Sequence, residues 1–206
     1  LYSARNEGSY FQYKELGDLE LSDCTFTNCR AAYDGGAIYA ESQAININDC
    51  HFISCHASSE QDDQSRGGAI YLDARNSISS EILVKNIFEN CTSTHSGGAL
   101  FVYCKDIHDQ GCNYMIQLIE CHFTGCKSGK EGGAISSGEP RTDGQEGALG
   151  DNDFQLVRCH FTECESKSGG ALFFQDGTLE GDEETVILQC YFINCFASEG
   201  EGYAIS

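Results

Sequence analysis

Basic residues are scarce. Lys and Arg total 12 against 32 Asp and Glu, giving a formal net charge of −20. A surface this acidic repels phosphate backbones, which argues against nucleic acid as a partner and favours basic partners or divalent cations. No apolar run approaches 18 residues, so no segment reads as a membrane-spanning helix. Residue 1 is Leu and no charged-then-apolar leader follows, which reads as a mature chain or a fragment. Proline occurs once, at Pro140, and Trp is absent. What is abundant is glycine, with 23 residues, and cysteine, with 13. The glycine-rich, proline-poor composition suits many short strands joined by tight corners. The cysteine content argues for an oxidising, secreted setting.

The chain repeats itself. A Phe recurs at Phe26, Phe52, Phe88, Phe123, Phe161 and Phe192, and three residues after each stands Cys29, Cys55, Cys91, Cys126, Cys164 or Cys195. Two residues before each Phe stands Cys24, Cys50, Cys121, Cys159 or Cys190, with Asn86 taking that place in the third copy. Five before is always aliphatic (Leu21, Ile47, Leu83, Leu118, Leu156, Ile187), and three before is always polar. A tail follows each head: Gly35-Gly36, Gly67-Gly68, Gly97-Gly98, Gly132-Gly133 and Gly169-Gly170, each continued by Ala and an aliphatic residue, and degraded in the last copy to Gly202-Tyr203-Ala204-Ile205.

The apolar places of one copy run −5, −2, 0 and +3 about the Phe. The even step is a strand with both side chains inward, and the odd steps are corners where the inward phase resets. A helix would need apolar residues at i, i+3, i+4 and i+7, which this pattern lacks. Phe-to-Phe steps of 26, 36, 35, 38 and 31 imply constant strands and variable loops. The pattern predicts an all-β fold: a right-handed, single-stranded parallel β-helix of about six coils, with internal Phe, aliphatic and Cys ladders. The paired glycines are predicted to be structural corners, at positive φ or where no Cβ fits. Residues 19–206 form the repeat domain. Residues 1–18 lack the motif and are expected to be an N-terminal cap or assembly segment.

These residues resemble the repeats of the chlamydial polymorphic membrane proteins, whose motifs are Gly-Gly-Ala-aliphatic and Phe-x-x-Asn. The resemblance covers roughly residues 19 to 206. It implies a right-handed parallel β-helix displayed on a cell surface and used in adhesion. Here Cys stands where that family has Asn, a second Cys precedes the Phe, and the sequence contains no β-barrel translocator. Cysteine-bearing repeats of this kind also look like those of large protist surface proteins.

Two disulfide patterns fit the count. Each head can close on itself (Cys24–Cys29, Cys50–Cys55, Cys121–Cys126, Cys159–Cys164, Cys190–Cys195, with Cys104–Cys112), which leaves Cys91 over. Alternatively, cysteines pair up the ladders (24–50, 29–55, 91–126, 121–159, 164–195, with 104–112), which leaves Cys190. Coil stacking at roughly 4.8 Å falls within the Cα range of a disulfide, and a sharp corner at the Phe would bring the head cysteines equally close. The local pattern is the expectation, because five of six heads carry both members.

Chemistry-bearing clusters are thin. The sequence carries none of the Asn-Thr-Asp, Asp-Asp, Gly-His-Gly and Arg-Ile-Lys set of polygalacturonase-like β-helix enzymes; "QDDQSR" at 61–66 reads as a solvated turn. His51, His122 and His160 precede their Phe by one and are predicted to face outward, with His122 and His160 near 5 Å apart in successive coils. No metal site and no cofactor are expected; Ca²⁺ is the one ion that the acidic stretches 151–153 and 181–184 invite. Asn90-Cys91-Thr92 is a glycosylation sequon with Asn90 at an exposed corner.

The expectation is therefore a non-enzymatic, secreted or cell-surface protein, structural or adhesive, which self-associates end to end or meets extracellular proteins and glycans. Its last coil, ending at Ser206 without a cap, is expected to stack on the Tyr-rich start of another copy and form a filament. The alternatives are a glycan- or Ca²⁺-binding surface module using loops 56–66, 104–113 and 136–153, and a polysaccharide-active enzyme.

Overall fold

A computed structural model describes residues 11–14, 18–41, 44–58, 65–73, 81–103, 114–138, 152–174, 185–200 and 202–206. Among these there is no helix. The strands form four parallel sheets of six strands each. Sheet I comprises Asp18–Ser22, Ala44–Asn48, Glu81–Val84, Tyr114–Ile119, Asn152–Val157 and Val186–Leu188. Sheet II holds the head Phe residues, in Thr25–Thr27, His51–Ile53, Ile87–Glu89, His122–Thr124, His160–Thr162 and Tyr191–Ile193. Sheet III is made of two-residue strands from Arg30–Ala31 to Phe196–Ala197. Sheet IV comprises Phe11–Lys14, Ile38–Glu41, Ile70–Asp73, Leu100–Tyr103, Ile135–Ser137 and Leu172–Phe174. The chain visits I, II, III and IV in turn and then starts the next layer, so each coil is one repeat of the sequence: a parallel β-solenoid.

Register is strict. Phe26, Phe52, Phe88, Phe123, Phe161 and Phe192 are directly paired from coil to coil. Their rings stack with centroids 4.6 to 4.9 Å apart. Leu21, Ile47, Leu83, Leu118, Leu156 and Ile187 form a second rung line. Sheet IV adds Ile38, Ile70, Leu100, Ile135 and Leu172. The core is this set of columns inside the coil, one residue per layer.

The corners are sharper than the glycine pattern predicts. Both ends of every head strand turn through a residue in the left-handed region: Asp23, Asp49, Lys85, Glu120, Arg158 and Gln189 before it, and Asn28, Ser54, Asn90, Gly125, Glu163 and Asn194 after it, with φ between 51° and 62°. These are the polar positions three before and two after the Phe. After Gly, Asn and Asp tolerate this conformation best, and the corner side chains here are exposed or half-buried.

The tail glycines divide the work. Only the first of each pair has positive φ, as at Gly97 with φ 64°. The second is needed for close approach: a Cβ on Gly68 would lie 2.0 Å from the Gly98 carbonyl oxygen and 2.4 Å from that of Thr92. The tail thus packs one coil's backbone against the next, as N–H to C=O bonds from Gly68 to Gly97 and from Ala69 to Ala99 show.

Candidate functional site

The cysteines were the leading site residues in the sequence, and all eleven within the described residues are free thiols. Neither the ladder pattern nor the local pattern Cys24–Cys29, Cys50–Cys55, Cys121–Cys126, Cys159–Cys164 and Cys190–Cys195 is formed, and the geometry sets the two head cysteines apart. The chain does not bend at the Phe; it bends on either side of it, at Asp23 and Asn28 in the first coil. The two head cysteines therefore sit at opposite ends of a straight three-residue strand. At roughly 3.3 Å per residue that puts their Cα atoms beyond the roughly 7 Å a disulfide spans. Cys91 is no odd residue either; it is one rung among equals. Cys104 and Cys112 lie outside the described residues.

What the fold brings together is the ladder. The thiols of Cys29, Cys55, Cys91, Cys126, Cys164 and Cys195 line up in sequence, each beside its neighbours in the adjoining coils. Each but Cys29 also donates to the Phe carbonyl of the coil before: Cys91 to Phe52 at 3.4 Å, Cys195 to Phe161 at 3.5 Å and Cys126 to Phe88 at 3.7 Å. A second column runs Cys24, Cys50, Asn86, Cys121, Cys159 and Cys190. Burial pushes the Cys50 thiol up to about 11, and it also pushes Cys126 well above the usual range. Buried thiols such as Cys50 and Cys126, raised in this way, are packing and hydrogen-bonding groups rather than nucleophiles.

Glu81 was missed in the sequence. It faces inward on the rung line of Ile45, Ile116 and Phe154. It is fully buried, and neither carboxylate oxygen has a hydrogen-bond partner. Burial, with Asp73 nearby adding to it, pushes its carboxyl up to about 8, so it is a neutral acid at pH 7. The signal was present: Glu81 stands an even step before the inward Leu83.

The outer faces carry three further features. On sheet IV, Tyr39, Tyr71 and Phe101 stack with centroids 5.0 and 5.5 Å apart. Arg66 lies 5.5 Å over the Phe101 ring, and its backbone N–H donates to Asp34 at 2.7 Å. Tyr71 and Phe101 are buried although they face out of the coil. On sheet II, the His122 and His160 rings stack at 4.7 Å, as their positions predicted, and burial with the neighbouring His160 lowers the His122 pKa. Exposed ion pairs bridge coils at Lys127–Glu165, Arg158–Glu120 and Lys167–Glu199. Such pairs contribute on the order of 0–1 kcal/mol each.

Asn90 is exposed at its corner, and the Thr92 hydroxyl of the sequon is held by the His56 ring. No group of three or more potential metal ligands occurs among the described residues. The side chains of 151–153 and all of 181–184, where Ca²⁺ was considered, lie outside them, as does most of loop 56–66.

The edge of the sixth coil is the remaining feature. Val186, Ile187, Leu188, Tyr191, Ile193 and Phe196 are each between 37% and 57% exposed. One coil earlier the position of Ile187 is the fully buried Leu156, those of Val186, Leu188, Tyr191 and Ile193 are half-buried, and that of Phe196 is the exposed Glu165. No protein family, no curated protein and no solved structure matches this chain.

Proposed function

We propose that the chain is a non-catalytic extracellular structural or adhesive protein that works as a rigid β-helical rod and lengthens by end-to-end stacking. The observation that carries this reading is the apolar edge of the sixth coil. Its three strands Val186–Leu188, Tyr191–Ile193 and Phe196–Ala197 are the last described in sheets I, II and III, and their outer edge is where a further coil would pair. Ile187, Phe192 and Ala197 continue the rung lines that begin at Leu21, Phe26 and Ala31. A second copy seated in register would continue these three columns with Leu21, Phe26 and Ala31. Heterologous stacking of this kind does not close and so gives filaments. The net charge of −20 keeps the sides of such rods apart, which confines association to the ends.

Sedimentation velocity across a hundredfold concentration range, with electron microscopy of the same samples, tests this. Unbranched rods of constant width that lengthen with concentration, and that disappear in Ile187→Asp, are expected. A monomer at every concentration refutes end-to-end stacking. Accessibility of the native protein to an impermeant label on intact cells tests its location.

A further inference from the structure

The cysteine columns contain a parity rule. Each thiol of the six-membered column touches only the thiols of the coils directly before and after it. The backbone holds them in register: the carbonyls of Cys29, Cys55, Cys91, Cys126 and Cys164 accept from the N–H groups of His56, Thr92, Lys127, Glu165 and Phe196 at 2.8 to 3.0 Å. A column of six in which only neighbours can join has one complete pairing, 29–55, 91–126 and 164–195. The second column is cut by Asn86 into a pair, Cys24 and Cys50, and a run of three, Cys121, Cys159 and Cys190. In the run of three, Cys121 and Cys159 are fully buried while Cys190 lies half-exposed at the open edge.

We propose that under oxidising conditions the solenoid is stapled between coils, by 24–50, 29–55, 91–126, 121–159 and 164–195, with Cys190 left as a thiol. These links join the first coil to the second, and the third through to the sixth. None crosses from the second coil to the third. The rod is two covalent blocks meeting at a seam that only packing and hydrogen bonds close.

The same seam carries a second, independent irregularity. Glu81 opens the third coil, one residue before the Ile82–Asn46 pair that joins it to the second, pairs with Ile116 of the fourth, and has both oxygens unpartnered. A buried acid without partners weakens the layer it occupies. The buried unpartnered acid thus lies in the layer that borders the junction without a staple. The seam is where the rod opens first.

The chemistry requires an oxidant, here a low-molecular-weight disulfide. Each staple forms by two successive exchanges: a cysteine thiolate attacks the small disulfide and releases one small thiol, and the neighbouring cysteine then displaces the second. Two protein S–H bonds and one small S–S bond become one protein S–S bond and two small thiols. The protein sulfurs lose two electrons to the small disulfide, and their two protons end on the released thiols. Because Cys50, Cys55, Cys91, Cys121, Cys126, Cys159 and Cys164 are fully buried, a small disulfide reaches them poorly in the folded rod, and the staples form as the chain folds.

The test is to refold the reduced chain, with Cys104→Ser and Cys112→Ser, in a glutathione redox buffer. Chymotryptic cleavage at the head Phe residues then separates the two cysteines of each head before mass mapping. The five links above and an alkylatable Cys190 are expected. A link within a head, a link from Cys55 to Cys91, or eleven thiols that remain alkylatable after refolding overturns the proposal. Hydrogen exchange on the oxidised protein reads the seam separately. The amides of Ile87 and Thr92, which bond to Cys50 and Cys55 across it, are expected to exchange at least tenfold faster than those of His122 and Lys127 one coil on. Equal protection at the two junctions overturns the seam.

Discussion

Asn86 and Cys50 are joined side chain to backbone across the coil junction: the Cys50 N–H donates to Asn86 Oδ1 at 2.9 Å, while Asn86 Nδ2 donates to the Ile47 carbonyl at 2.7 Å. Cysteines in the same column make the same two bonds. Cys121, Cys159 and Cys190 donate to Leu83, Leu118 and Leu156 at 3.3 Å each. Cys50 and Cys190 sulfurs accept from the N–H groups of Cys24 and Cys159 at 3.4 Å. Cysteine here does the work of a short amide: a small inward donor and acceptor that ties one corner to the coil before.

That equivalence can be measured under reducing conditions. Asn86→Cys keeps both bonds and is expected to cost about 1 kcal/mol or less in urea unfolding. Asn86→Leu leaves the Cys50 N–H and the Ile47 carbonyl buried without partners and is expected to cost about 3 kcal/mol. Equal costs for the two substitutions would show that the column is only a packing device.

Glu81 sets a pH dependence. Its folded pKa, about 8, is raised from 4.5, so between those values the native state holds a proton that the unfolded chain has lost. The stability tied to that proton is complete below pH 4.5 and is lost as pH rises through about 8. At about 1.4 kcal/mol per pKa unit the loss across this window is a few kcal/mol. Glu81→Gln is expected to flatten the decline in stability from pH 5 to pH 9, and Glu81→Ile, matching Ile45 and Ile116 on its rung, to raise the midpoint of urea unfolding at pH 8. An unchanged pH profile in Glu81→Gln would place the titration elsewhere.

The glycines make a paired prediction. Gly68→Ala forces a Cβ to within 2.0 Å of a backbone oxygen of the next coil, where nothing flexible can give way, and is expected to cost more than about 3 kcal/mol. Gly125 has positive φ too, but its added Cβ would meet only the Asn90 side chain, at 2.5 Å. Equivalent corners elsewhere carry Asn28, Asn90 and Asn194 at the same φ. Gly125→Asn is therefore expected to change stability by less than about 1 kcal/mol, read by thermal unfolding.

How much of this was legible in the sequence depends on spacing and on phase. The coil, its Phe and aliphatic columns and the structural glycines followed from positions −5, 0 and the tail, because one repeat per layer leaves a stacked position no choice but to be alike. The cysteine partners did not follow. Both pairings satisfy the count, and only the placement of the bends shows which cysteines lie side by side. That placement lay in Asp23, Asn28 and their equivalents, whose polarity fits an exposed turn and an ordinary strand surface equally well. Glu81 was overlooked because one charged residue in a column of Leu19, Ile45, Ile116 and Phe154 reads as a loop residue until its even step from Leu83 is counted.

The Phe column allows the sharpest mechanical prediction. Phe123 is fully buried and stacked on both sides, 4.6 Å from Phe88 and 4.9 Å from Phe161. Phe192 has one neighbour, at 4.9 Å, and lies only half-buried at the open edge. Phe123→Ala removes a ring whose place neither neighbour can fill, because both are fixed by their own coils, and is expected to cost about 4 kcal/mol. Phe192→Ala is expected to cost about half as much. The shape of unfolding should differ as well. In a stack where each layer touches only its neighbours, a break in the middle uncouples the two sides. Calorimetry of Phe123→Ala is expected to show two transitions where the parent shows one, whereas Phe192→Ala lowers a single transition by fraying the last coil. A single transition in Phe123→Ala, merely shifted, would mean that the backbone ladders alone keep the coils cooperative and that the ring column adds strength without carrying the coupling.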